Sequence, residues 1–394
     1  SRGTITSPDG SVRVPNVQVL GVDERFWKLA PDFSHTPMGT WSMKKEFREW
    51  GPKVFFVNER LDQRLKKEIG ARLILRMEEP SLFSRDAPLS GERDNKFVTM
   101  NEELGGGIPA EGFGHFGLQG NQREPLTVFI SLSALQNKLF RSFDEISDNK
   151  QFANFLLMGK SGDGEFDLLE AKKAMNSSWT LADAGIEIKN LQNTNEWSIR
   201  TRQVFLSDGL VEKAKFLTAN SSGVLTYLVN SIQTRYEDNK TSLIPYSMMS
   251  AVEPSKIEFL GEEWKDDQIA LNRWTADDLN LTLGDRVSVS FYTVGERRKL
   301  IEKSKDFILT KILPMPSPVG EGEESEWTPR FPGLSDADSC GEWDTGIPIV
   351  HKVRDRDEDY WDKYRGEPKG FVSLKAGKEM WGNRWGSLTG LRVM

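Results

Sequence analysis

The sequence predicts an α+β protein: two similar mixed α/β units of short helices and small mixed sheets, joined by a central β-α-β segment. Three observations predict it. Residues 55–77 (FFVNERLDQRLKKEIGARLILRM) and 269–291 (IALNRWTADDLNLTLGDRVSVSF) fit one ungapped template, with Asn58/Asn272, Leu65/Leu279, Gly70/Gly284 and Arg72/Arg286 in register. After each copy comes a matching strand-into-helix phrase, FISLSA at 129–134 and FVSLKA at 371–376. Between the copies lie ANFLLMG, FDLLEAKKAMNSSW and IEIKNLQ, which read as strand, helix and strand.

The elements follow in order. Val17–Leu20 is a short apolar strand leading into GVDERFWKLAP. Val54–Val57 is another, and Asn58 is suited to cap the helix that carries Leu61 and Leu65 four apart on one face. Gly70 supplies the positive φ of a sharp reversal. Leu73, Leu75 and Met77 then alternate inward against Arg72, Ile74 and Arg76, as a half-buried strand requires. In the second copy Val287, Val289 and Phe291 take the inward places. In the central segment, Leu168, Ala171 and Met175 stand at helical spacing and predict an inward face. SGVLTYLVNSIQTRY and LIPYSMMSAV are strand-rich, and the final SLTGLRV reads as the start of a further β-α-β unit. The longest irregular stretch is 314–348, and loops are also expected at 80–96 and 101–124. These boundaries place a first unit at 1–150, a central segment at 151–255 and a second unit at 256–394.

Composition narrows the function. The chain has 394 residues, 37 % hydrophobic before glycine is counted, and a net charge of −7. That charge, without a basic stripe, excludes nucleic acid and acidic membrane surfaces as natural partners. The lone Cys340 leaves no intrachain disulfide and no cysteine zinc cluster. No apolar run reaches the length of a membrane span. The chain opens at Ser1 without a Met and stops just after a strand-like run, which reads as an excised piece of a longer protein.

The candidate sites each have a plain reading. His35, His115 and His351 share no ligand spacing. Cys340 sits in a polar loop, SDADSCGEW, as a bystander thiol. The run RDRDEDYWDKYRGEP gathers Asp355, Asp357, Glu358, Asp359 and Asp362. Interleaved Arg354, Arg356, Lys363 and Arg365 make it a self-neutralised, solvated helix or loop rather than a carboxylate pair or calcium site. SGDGEFD is a turn before a helix, and GGGIPAEGFG a flexible loop without the spacing of a dinucleotide fingerprint. Among the tryptophans crowded near the C-terminus, the loop residues Trp327 and Trp343 are the best candidates for contact with a partner or substrate. No catalytic constellation, metal site or cofactor site is expected.

Order along the chain adds a family. VQVLGVDERFWKL, then a strand, VNERLDQRLKKEIGARLILRM, a further strand and FISLSALQ resemble the extracytoplasmic core domain of FtsX-like, MacB-type ABC-transporter permeases. These include macrolide exporters and lipoprotein-release permeases. The matching places are Gly21, Val22, Asp23, Phe26, Trp27, Asn58, Leu65, Gly70 and Leu132. ANFLLMG, its helix and IEIKNLQ look like the β-α-β half of that family's porter-like subdomain. The resemblance covers about the first 190 residues continuously; the second copy, a departure from the single insert of the family, covers about 260–394.

The resemblance implies a non-enzymatic domain on the periplasmic face of a bacterial inner membrane. Its implied partners are the permease's own membrane helices and a cytoplasmic ATPase, with a homodimer and an envelope protein as further assemblies. The alternative reading is a secreted or periplasmic module binding carbohydrate or protein through Trp327 and Trp343. A third, an envelope hydrolase, would use Asp357 and Asp359.

Overall fold

The computed structural model describes residues 2–30, 54–78, 97–117, 124–139, 153–159, 165–191, 196–218, 220–235, 241–257, 259–261, 264–296, 299–319, 325–331, 333–335, 337–343 and 346–393. They fall into two compact units, one of residues 1–80 and 94–177, the other of 81–93 and 178–394. The expected loop at 80–96 and His35 lie outside the described residues.

The first unit is a closed six-stranded barrel. Its elements are β1 (Arg2–Thr6), β2 (Arg13–Val22), α1 (Glu24–Lys28), β3 (Val54–Asn58), α2 (Glu59–Leu65), β4 (Arg72–Glu78), β5 (Phe97–Ile108), β6 (Thr127–Ser131) and α3 (Leu132–Leu139). The strands close in the order β1-β2-β6-β3-β5-β4. β2 and β6 run parallel, as do β3 and β5, and every other pair is antiparallel. The pattern is two-fold: β1-β2-β3-α2 and β4-β5-β6-α3 are the same half written twice, interlocked through β1/β4 and β3/β6. Closure leaves no strand edge. Ile5, Val17, Phe55, Val57, Leu73, Leu75 and Met77 fill the inside, with Leu61 and Leu65 of α2 plugging one end. Each of those leucines is essentially fully buried, stabilising the barrel by roughly 1.5–3 kcal/mol apiece.

The glycine run expected as a loop is instead strand β5, because the barrel wall leaves room for nothing larger at its centre. A Cβ on Gly105 would stand 2.4 Å from Val54 Cγ1. Gly105 is also the extra residue of a bulge, since Phe55 pairs with Leu104 and Phe56 with Gly106.

The second unit repeats the barrel and extends it. Its elements are β7 (Ile186–Leu191), β8 (Glu196–Thr201), α5 (Asp208–Leu217), β9 (Ser221–Arg235), β10 (Thr241–Val252), β11 (Gln268–Asn272), α6 (Arg273–Asp278), β12 (Arg286–Val294), β13 (Leu300–Leu313), α7 (Asp355–Tyr364), β14 (Gly370–Ser373), α8 (Leu374–Trp381) and β15 (Gly390–Val393). β9, β10, β14, β11, β13 and β12 form a ring, closed by β9 against β10, and β15, β8 and β7 continue the sheet outward from β9. Strand for strand, β9–β14 match β1–β6 in order and direction. The matching reaches single hydrogen bonds: Gly70 N–H donates to Leu104 O at 2.7 Å and Gly284 N–H to Leu309 O at 2.8 Å. Both glycines hold positive φ, 88° and 99°. The bulge recurs too, between Ile269 and Ala270 opposite β13.

The α+β class and the two similar units are therefore present, but the middle of the chain differs from expectation. The boundary expected at 255 falls inside a barrel, because β9 and β10 supply the second barrel's first two strands. Among the described residues no β-α-β unit lies between the barrels: residues 153–159 form no strand, and β7 pairs antiparallel with β8. The helix between them, α4 (Leu168–Ser178), buries no residue. Leu168 and Met175, expected inward, are 55 % and 41 % exposed. SLTGLRV, expected to start a further β-α-β unit, supplies β15, which lies between β8 and β9 in this sheet.

Candidate functional site

The densest polar chemistry lies in the second unit, where the connection from β13 to β14 crosses the end of the barrel. It starts with Asn272, the last residue of β11. Its side-chain oxygen accepts from Thr275 N–H at 2.9 Å, capping α6, and its amide nitrogen donates to the Tyr360 hydroxyl at 2.9 Å. Helix α7 is thereby pinned over α6.

Beneath α7, Lys369 is 4 % exposed. Its ammonium lies 4.5 Å from the Trp274 ring centre and 4.6 Å from that of Tyr360, a cation–π sandwich. Asp357 Oδ1 is 3.9 Å away. Arg354 holds Asp357 at 2.7 Å and 2.8 Å with its guanidinium and at 3.0 Å with its backbone N–H. The same guanidinium reaches Asp278 at the end of α6, at 2.7 Å, and Arg356 pairs with Asp278 from the other side. Two buried carboxylates are thus balanced by three cations.

Burial dominates the titration here. It pushes Lys369 down to about 8, against the pull of Asp357. It pushes the Tyr360 phenol and the Cys340 thiol well above their ordinary values, in the case of Cys340 with help from Glu358. An amine of that pKa is partly neutral at pH 7–8 and nucleophilic by character. The cavity beside Lys369, Tyr360 and Trp361 measures about 20 Å³, room for a single water. The cluster is a staple that fastens α7 and its flanking loop to the barrel.

A second buried centre fixes residues 325–331. Arg200 of β8 donates to the carbonyls of Ser325 and Thr328, each at 3.0 Å, and to Glu326 O at 2.5 Å. Arg392 of β15 pairs with Glu196 at 2.7 Å. Its guanidinium lies 4.1 Å above the Trp327 ring.

The residues singled out from the sequence fall in separate places. Trp327 is half-buried, under Arg392 and edge-on to Phe371 at 5.3 Å. Trp343 is half-buried in a different cluster, edge-on to Trp361 at 5.0 Å. The two do not converge on one surface. Asp357, expected in a solvated run, is 5 % exposed, because α7 is amphipathic and turns Asp357, Tyr360 and Trp361 inward. Cys340 is buried at 1 % exposure rather than free in a loop. His115 lies 3.3 Å from Glu124 at the surface of the first unit, and His351 rests against Tyr246. Among the described residues no group of three metal-ligating side chains forms. Lys369 and Asp278 escaped sequence reasoning because Lys369 follows the charged run at 354–368 and Asp278, though inside the repeat, is not one of its matched positions. Asn272 was visible as the repeated cap.

In the first unit Asn58 occupies the place of Asn272. Fully buried, it accepts from Leu61 N–H and Thr127 N–H at 3.2 and 3.0 Å. It donates to Pro125 O, Gly114 O and Glu124 Oε1 at 2.8, 3.2 and 3.2 Å. No family model matches this chain, and no curated protein matches it.

Proposed function

We propose that the chain is a non-enzymatic extracytoplasmic domain of an ABC-transporter permease on the periplasmic face of a bacterial inner membrane. In this reading it couples ATP hydrolysis by a cytoplasmic subunit mechanically to export or to handling of an envelope lipoprotein. One observation carries the proposal: the ordered resemblance to FtsX-like permeases from Val17 to Leu132. Its residues perform definite local tasks. Asp23 accepts from Arg25 N–H to cap α1, Asn58 caps α2, and Gly70 makes the reversal into β4. Two features suit the role. Closed barrels have every wall strand paired on both sides, so they transmit displacement as rigid bodies. The buried ionic groups are engaged with one another, and the cavity beside them admits no organic substrate.

Localisation in the full-length protein tests this. Leu283 is 63 % exposed on the turn before β12, so Leu283→Cys offers an accessible thiol, whereas Cys340 is buried. A membrane-impermeant maleimide should label Leu283→Cys in intact cells once the outer membrane is permeabilised, and the protein should co-purify with an ATPase. Labelling only after lysis, or a protein found entirely outside the membrane fraction, would sink the proposal.

A further inference from the structure

Lys369 is almost fully enclosed, yet among the described residues its ammonium donates no hydrogen bond. It meets the faces of Trp274 and Tyr360, and its nearest carboxylate oxygen, on Asp357, stands 3.9 Å away. The three N–H groups of a buried ammonium are thus left without an acceptor, which native interiors rarely tolerate. The indole Nε1 of Trp343 is a second buried donor with no hydrogen-bond partner among the described residues. Both side chains line the same cavity of about 20 Å³.

The acceptors around that cavity are already engaged. Asp357 takes three hydrogen bonds from Arg354. The Tyr360 hydroxyl accepts from Asn272, and the Tyr246 hydroxyl accepts from His351 N–H at 2.8 Å. Glu367 is held by Ser325 and Glu326. A water among these groups would serve the donors but bring two hydrogens of its own, with few lone pairs left to receive them. An anion accepts from every side and donates nothing. We propose that the cavity binds one halide-sized monovalent anion, in ordinary solution chloride, between the Lys369 ammonium and the Trp343 indole N–H. Size sets the class: a guest close to water in volume fits, whereas phosphate, sulfate and organic carboxylates do not. Charge agrees. Lys369 and Arg365 line the cavity against Asp357 and Glu367, and Arg354, clasped to Asp357, tips the local balance to positive. The ion ties the turn at Cys340–Glu342, through Trp343, to Lys369 at the head of β14. Fastening of the β13–β14 connection thereby depends on chloride.

Crystals of the 394-residue chain soaked in sodium bromide test the site directly. The bromide anomalous peak should lie within hydrogen-bonding distance of both Lys369 Nζ and Trp343 Nε1. In solution, urea midpoints in sodium chloride and in sodium gluconate of equal ionic strength separate binding from screening, because gluconate is too large for the cavity. Chloride at about ten times its Kd should favour the folded chain about tenfold. Trp343→Phe, which keeps an aromatic ring and removes the N–H, should lose most of that difference, and Lys369→Met all of it. Each variant is compared with itself in the two salts, so a general loss of stability does not mask the result. A water in place of bromide between the two donors, equal wild-type midpoints in the two salts, or an undiminished chloride effect in Lys369→Met would overturn the proposal.

Discussion

The two barrels share one topology and solve one problem differently. In each, an Asn at the end of the third strand caps the following helix and tethers the connection between the fifth and sixth strands. In the first barrel that connection is short, and Asn58 holds it by backbone carbonyls at Gly114 and Pro125. In the second it runs from β13 to β14 through α7, and Asn272 holds it by the Tyr360 hydroxyl. A long insertion cannot be fixed by one amide, so the second barrel adds the network of Lys369, Asp357, Arg354 and Asp278. A helix–strand contact shows the same freedom. Gly21 of β2 receives Leu135 of α3, whereas at the matching positions Ala251 of β10 receives Gly377 of α8. The large and small partners have changed places while the backbone stayed the same.

The sharpest way to break the comparison is to remove a charge that only the second barrel owns. Asp357→Ala leaves buried Lys369 without its nearest anion and Arg354 with Asp278 alone, and should cost about 3–5 kcal/mol. Hydrogen exchange should show protection lost in β13 and β14 while β3 to β6 keep theirs. Next comes the shared cap. Asn58→Ala strands buried N–H groups of Leu61 and Thr127 and should cost about 3 kcal/mol. Asn272→Ala loses one cap and one tyrosine bond and should cost about 1–2 kcal/mol. Exchange measured barrel by barrel would reveal an inverted order, which would mean that Tyr360 carries more of the second connection than Asn272 geometry implies.

The exchanged contact gives a smaller effect. A Cβ on Gly377 would stand 2.1 Å from that of Ala251, so Gly377→Ala should cost about 1–3 kcal/mol by forcing the backbone apart. Gly21→Ala meets the end of the Leu135 side chain at 2.7 Å, with Leu132 Cδ1 at 3.3 Å and its Cα at 3.4 Å, and should cost less because the closest atom is a side-chain end that can turn aside. Urea titration compares the two; equal losses would show that α3 is as fixed as α8.

The smallest expected effect is in pH. Lys369 titrates near 8 when folded and near 10.5 when unfolded. The unfolded chain therefore binds more protons above pH 8, and stability rises with pH. Cys340 is raised from 9.0, so above pH 9 the unfolded thiol ionises while the folded one does not, and this loss offsets the Lys369 gain. Tyr227 and Tyr360, raised from 10.0, then pull stability down beyond pH 10. The second barrel should gain about 1 kcal/mol from pH 8 to 9 and level off before declining. Lys369→Met should abolish the gain, as followed by urea midpoints across that range.

Much of this molecule is legible in its amino-acid sequence. Asn58, Gly70 and the alternation of Leu73, Leu75 and Met77 name a cap, a turn and a strand, because each depends on neighbours a few residues away. The second copy is legible for the same reason. Leu168 and Met175 mislead because helical spacing marks an apolar stripe without saying what, if anything, covers it. Gly105–Gly107 mislead because composition cannot distinguish a flexible loop from a strand squeezed against Val54 and Phe56.

By itself, then, the sequence determined the repeated strand–cap–helix unit, the α+β class and the inward faces of the barrel strands, all set by local sterics, capping and period-two burial. Tertiary structure alone decided that the strands close into rings and that Lys369 and Asp357 meet under α7. Those outcomes depend on which distant segments become neighbours, and no residue in either segment encodes its partner's position.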